Sequence, residues 1–226
     1  MERVSKIKGK IPVILVAPHL EEKNIDFITE SIAKEMSAFA VINRGWKKSE
    51  NFDFLKDFGN CNNVDHLHKD VLKEEFLDQI LRYVCYIKNN IDDKVFFLNM
   101  HGCKNEIRKE TEKNLDILLS YGGVYSYTCD QRIKDAFAYF LENDSLNVYE
   151  GKSAEYSSQH KNNLTQIFRH DYPDKKINSI QLKIVEELRE DEEISSLFCD
   201  SLISAIDDLL SFIDSTSLIK RKNKYI

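Results

Sequence analysis

The run Ile11-Pro-Val-Ile-Leu-Val-Ala17 restricts the fold more than any other segment of the chain. It is almost entirely apolar, rich in β-branched side chains, and closed at once by Pro18-His19. A strand with one wet face alternates polar and apolar residues, whereas this one offers no polar side. It therefore reads as a strand buried on both faces. Ala38-Phe-Ala-Val-Ile42 repeats the pattern and ends at Asn43-Arg44-Gly45. Lys94-Val-Phe-Phe-Leu-Asn99 repeats it again and ends at Met100-His101-Gly102.

Helical periodicity fills the intervals. Ile25, Ile28, Ile32, Ala33 and Met36 recur at helical spacing after the first strand. Asp70 is positioned to cap a long helix to about Asn89, with Val71, Phe76, Ile80, Leu81, Val84 and Ile87 on its buried side. Residues 46–69 read as a long irregular excursion, of the kind that is often functional. A loop-rich section carries Gly122-Gly123 and Tyr125-Ser-Tyr-Thr-Cys129, after which Asp130 caps another helix with Ile133, Phe137 and Leu141 inward. Leu146–Tyr149 is a short strand, Ile177–Val185 a longer one, and a last helix runs from about Glu193 to Ile213. Lys220-Arg-Lys-Asn-Lys224 reads as a solvated end. Alternating helices and buried strands predict a three-layer α/β/α sandwich around a mixed, largely parallel sheet. No linker or repeat divides the chain, so residues 1–226 read as a single domain.

Composition excludes several classes of function. With 32 basic against 38 acidic residues the formal charge is −6, which removes a general case for nucleic-acid binding. No apolar run approaches the roughly 20 residues needed to cross a bilayer, and the N-terminal segment lacks the pattern of a secretory signal. The 5 Cys are scattered without a C-x-x-C pair, as expected of reduced thiols in the cytoplasm. There is no glycine-rich phosphate loop and no G-x-S-x-G elbow. Nothing in the sequence fixes an oligomeric state.

In open α/β sheets ligands gather at the carboxyl ends of the strands, which draws attention to Pro18-His19, Asn43-Arg44 and His101-Gly102. His19-Leu-Glu-Glu22 has the spacing H-x-x-E in a strand-to-helix turn, and His101 closes another strand. Two histidines and one carboxylate, with water in the fourth position, make a catalytic zinc set. Singly, a histidine at a strand end is usually structural; it is their coincidence at one edge that points to one divalent ion on His19, Glu22 and His101. Arg44, with Asn43 before it, is the kind of rigid fork that grips a carboxylate, against the plainer reading of a salt bridge. Arg169-His170 carries the same pair of readings. His66-Leu-His68 and His160 read as ordinary polar loop residues, and Cys103 as a small buried one.

Taken in order, Pro18-His19, Ile42-Asn43-Arg44, Met100-His101-Gly102, Tyr127-Thr-Cys129-Asp130, Ile167-Phe-Arg-His170 and Gln181-Leu-Lys-Ile-Val185 resemble the N-formylglutamate amidohydrolase family, which is similar in fold to the zinc carboxypeptidases. The resemblance spans about residues 11–190 and rests on the order of short motifs. It implies a phosphorylase/hydrolase-like fold and a zinc-dependent hydrolase of an amide bond in a small carboxylate-bearing substrate. His19, Glu22 and His101 would hold the metal. Asn43, Arg44, Arg169 and His170 would bind substrate, with Arg169 also stabilising the oxyanion.

One position departs from the family. Its late strand usually carries a glutamate, the general base, where this chain has Lys183. Strand alternation puts Gln181, Lys183 and Val185 on one face and Glu186 on the other, so Glu186 is an imperfect replacement. Lys183 could serve as the base after losing its proton on burial, bind an extra anionic group, or mark a lost activity. The alternative to an enzyme is accordingly a non-catalytic relative that keeps the fold as a metal- or ligand-binding module.

Overall fold

The computed structural model describes residues 3–45, 61–68, 70–105, 115–123, 126–151 and 157–222. Most of the 46–69 excursion and Tyr125 lie outside them, as does the end of the 220–224 tail.

The apolar runs form β2 (Val13–Ala17), β3 (Phe39–Asn43), β4 (Val95–Cys103) and β7 (Ile177–Val185). They lie parallel and side by side in the order β3-β2-β4-β7. Three shorter strands complete a seven-stranded mixed sheet. β1 (Val4–Ile7) runs antiparallel to β3 at one edge, while β5 (Ile117–Ser120) runs antiparallel to β7 and carries β6 (Val148–Glu150) beyond it. β1 and β5 are not read from the sequence: each is four residues long and adjoins polar or glycine-rich segments, and its pairing with a neighbour supplies what its own pattern lacks.

Alternation along the central strands builds two separate cores. Val13, Leu15, Leu98, Met100, Leu182 and Ile184 face one layer, formed by α1 (Ile25–Glu35), α4 (Gln131–Asn143) and α6 (Glu192–Lys222). Ile14, Val16, Val41 and Phe97 face the other, built from α2 (Val64–Leu67), α3 (Asp78–Asn90) and α5 (Ile167–His170). Phe39, Phe76, Phe97 and Phe137 are fully buried, each stabilising the fold by about 1.5–3 kcal/mol through removal of apolar surface from water. This is the three-layer sandwich predicted from the buried runs.

Asp70 is the first residue of the long helix rather than the cap before it, Val71 is exposed rather than inward, and the helix passes through a π turn at Lys73–Leu77 before α3. Asp130 does cap α4, its side chain accepting from the Arg132 N–H at 2.9 Å. His66 and His68 lie in and just after a helical turn rather than a loop, and His68 pairs with Asp171 at 2.6 Å. His160 is exposed, and Cys103 half-buried against Leu115, Leu118 and Val185. None of the five cysteines is in a disulfide, and among the described residues no helix is long and apolar enough to cross a membrane.

Candidate metal centre

The chain leaves β2 through Pro18–Asn24 and enters α1, and three contacts fix this turn. Asn43, buried at the end of β3, donates Nδ2 to the Pro18 carbonyl at 2.8 Å and accepts the Gly45 N–H at 3.2 Å. Glu22 Oε2 accepts the Gly102 N–H at 2.8 Å. Asn24, at φ 59°, donates Nδ2 to the Arg189 carbonyl at 2.9 Å. Asparagine is among the few residues that tolerate this left-handed conformation, which aims the chain into α1.

His101 comes from the adjacent strand. It lies within β4, two residues before its end, and not at the strand terminus as predicted, because the pairing of β4 with β7 continues to Cys103. Its side chain is 4% exposed. Nδ1 is 3.4 Å from Glu22 Oε1, and the buried Nε2 has no hydrogen-bond partner. The His19 and His101 rings are 4.9 Å apart, edge to face. One ligand atom from each of His19, Glu22 and His101 falls within 4.8 Å of the other two. Burial pushes the Glu22 carboxyl up. The charge and hydrogen bond of His101, the charge of His19 and the Gly102 N–H outweigh it and hold the group below the usual carboxylate range. Two imidazoles and an ionised carboxylate are a donor set suited to a divalent metal ion.

β4 and β7 run in register, so His101 stands beside Lys183, and Asn99 beside Gln181, on one face of the sheet. Lys183 is half-buried, with Leu118 of β5 on its other side. Next to this row is a buried polar network that the sequence did not single out. Asn99 Nδ2 donates to Asn62 Oδ1 at 2.8 Å and to Thr165 Oγ1 at 3.2 Å. Gln181 Oε1 accepts from Asn163 Nδ2 at 3.1 Å and also bonds Ser158.

Several predicted residues are placed elsewhere. Arg44 is bound by Asp26 and Glu30, one turn apart on α1, so both arms of its fork are already taken. Asn43 is a buried brace for the turn and presents no group to a substrate. Arg169 and His170 are exposed on α5, which precedes β7 and so lies at the amino ends of the strands. There they line a cavity of about 530 Å³ with Ile177, Asn178 and Ser179, and Arg169 donates to the Tyr127 carbonyl at 2.9 Å. Ser179 and Lys183 are four positions apart on β7, about 13 Å at roughly 3.3 Å per residue, so this cavity is not beside the histidines. Glu186 is exposed in a 3₁₀ turn beyond β7.

No family model matches the chain, and no curated protein matches it in sequence. Solved structures do match its fold. The gene product Atu2144 from Agrobacterium tumefaciens is 16% identical with a TM-score of 0.68, over 95% of this chain and 97% of that one. N-formylglutamate amidohydrolase from Ralstonia eutropha is 12% identical with a TM-score of 0.62, over 96% of this chain and all (100%) of that one. A metallo-carboxypeptidase from Burkholderia cenocepacia is 14% identical with a TM-score of 0.51, over 90% of this chain and 58% of that one. At these identities the likeness is one of fold alone: the chain shares the mixed-sheet α/β fold of these structures.

Proposed function

We propose that this chain is a metal-dependent hydrolase of an amide bond in a small carboxylate-bearing substrate, with one zinc ion held by His19, Glu22 and His101. The observation that carries the reading is the convergence of these three side chains, one ligand atom from each lying within 4.8 Å of the other two. When bound, zinc would lower the pKa of a coordinated water to about 7 and polarise a substrate carbonyl. The fold shared with an N-formylglutamate amidohydrolase and a metallo-carboxypeptidase supports the same class of chemistry.

The chain's own residues divide the remaining work. The Gly102 N–H holds one oxygen of Glu22 and leaves the other beside His101. Lys183, one strand over from His101, is assigned to the substrate's carboxylate, the role for which Arg44 and Arg169 are unavailable. That assignment leaves no carboxylate base in the row. Lys183 is also what favours the second reading, a module that keeps metal and ligand without turnover.

One experiment separates them. The protein is stripped with chelator, reloaded with zinc, assayed for bound metal, and screened on N-formyl and N-acyl amino acids with acidic side chains. One zinc per chain with hydrolysis is the outcome expected of the enzyme. Zinc without hydrolysis of any amide would leave the binding module, and a protein that takes up no metal would refute both.

A further inference from the structure

Arg189 follows β7 in the 3₁₀ turn Glu186–Arg189 and is 6% exposed. Among the described residues its side-chain hydrogen bonds all go to backbone carbonyls and none to a carboxylate. Nε donates to Ile184 at 3.2 Å, Nη1 to Lys23 at 3.1 Å and Nη2 to Cys103 at 3.0 Å. Those carbonyls belong to three different segments: the end of β7, the residue after Glu22, and the end of β4. The guanidinium also lies against the backbone of Gly102, where a Cβ would meet its Cζ at 2.6 Å. Gly102 is the residue whose N–H holds Glu22.

Burying a guanidinium is costly unless its donors are satisfied, and here three carbonyls satisfy them. A planar fork of five donors is the group that can reach three carbonyls at once. The bonds join the segment carrying Glu22 to the strand carrying His101. We propose that Arg189 is a positioning residue for the metal centre, fixing the Glu22 carboxylate relative to His101. The role rests on the zinc reading above. Gly102 belongs to the same device, since any larger residue would displace the guanidinium.

The test compares zinc affinity, by competition with a chromophoric chelator, in the wild type, Arg189→Met, Arg189→Lys and Gly102→Ala. Lys134→Met serves as a control, because Lys134 is 3% exposed and ion-paired with Glu150 in another part of the fold. Arg189→Met is expected to weaken zinc binding 10–100-fold, the usual effect of losing a group that orients a ligand, at about the scale seen for outer-shell partners. Arg189→Lys should not restore it, since one ammonium cannot span three carbonyls, and Gly102→Ala should weaken binding with the charge still present. Lys134→Met should lower the melting temperature and leave zinc affinity alone. Folded Arg189→Met or Gly102→Ala protein binding zinc within about twofold of wild type would overturn the proposal. If Arg189→Met does not fold, Arg189→Lys and Gly102→Ala decide by the same criterion. A wild type that binds no zinc would refute the function instead. Amide exchange of residues 19–24 in the metal-free protein then decides: faster exchange in Arg189→Met than in Lys134→Met upholds the clamp, and equal exchange removes it.

Discussion

Replacing His101 by leucine should leave the metal-free protein as stable as before, or more so, while abolishing its response to zinc. His101 Nε2 is buried without a partner, which costs the metal-free fold about 1–3 kcal/mol of desolvation. Leucine, of similar volume, has no such atom. What the change removes is the contact of Nδ1 with Glu22 Oε1, at 3.4 Å a long one and worth about 0.5–1 kcal/mol. Glu22 keeps the Gly102 N–H and is 23% exposed, so water can take up the freed oxygen. The balance runs from no change to a gain of about 2 kcal/mol, or several degrees in a chain of this size, at roughly 2–4 °C per kcal/mol. Zinc at 100 times its Kd should raise the wild-type melting temperature by about 5–11 °C, from about 2.7 kcal/mol of linked binding energy. Calorimetric melts with chelator and with zinc read both effects. A metal-free His101→Leu protein melting more than about 4 °C lower would show an ordinary core histidine, and a retained zinc shift would show that the ion binds elsewhere.

Lys183→Glu should raise the KM for an N-acyl acidic amino acid about tenfold or more, because it replaces the cation assigned to the substrate's carboxylate with a like charge; steady-state kinetics check this, and an unchanged KM would remove Lys183 from the site. Asp174 supplies a pH test of the scaffold: burial pushes its carboxyl up, but hydrogen bonds from Lys88 and the Lys176 N–H, with both charges, hold it below the usual range. A depressed carboxylate stabilises above its unfolded pKa of about 3.9, and that contribution fades as pH falls through the native value. Asp174→Asn should therefore cost about 1 kcal/mol at neutral pH, a figure discounted for its partial exposure, and nothing in strong acid. Urea unfolding across pH 7 to about 2 measures the gap, and a gap independent of pH would refute the assignment.

The architecture was legible because burial on two faces leaves its mark in the strand itself. Val13–Ala17 and Phe39–Asn43 have no polar face, so only a covered sheet accommodates them. β1 and β5 escaped because so short a strand takes its identity from its neighbours. Val4-Ser-Lys-Ile7 is a strand by virtue of pairing with Asn43–Ala40, a relation between distant residues that no local pattern contains. The π turn at Lys73–Leu77 is equally silent, since the apolar spacing on either side is that of a plain helix.

The site divides along a sharper line. His19 and Glu22 follow β2 directly, and His101 is carried by β4, so the polarity of parallel strands delivers them to one end of the sheet. Arg169 and His170 precede β7, and the same polarity sends them to the other end. That outcome was in principle readable from chain order, because a group seven or more residues before a strand starts cannot reach its carboxyl end unless the loop turns back along the whole strand. Arg44 is a different case. It does follow its strand, but Asp26 and Glu30 stand one helical turn apart on α1 and claim both arms of its guanidinium. Those acids are visible in the sequence, yet which cation they meet depends on how α1 packs across β3, and that is decided by the core. Arg189 is the converse: it sits in the charged run Glu186-Glu-Leu-Arg-Glu190, which reads as solvated surface, and only the fold turns it inward onto three carbonyls. Charge in a sequence marks what a residue can bind; the packing of the neighbouring helix determines whether the partner is a substrate, a scaffold acid or the backbone around a metal.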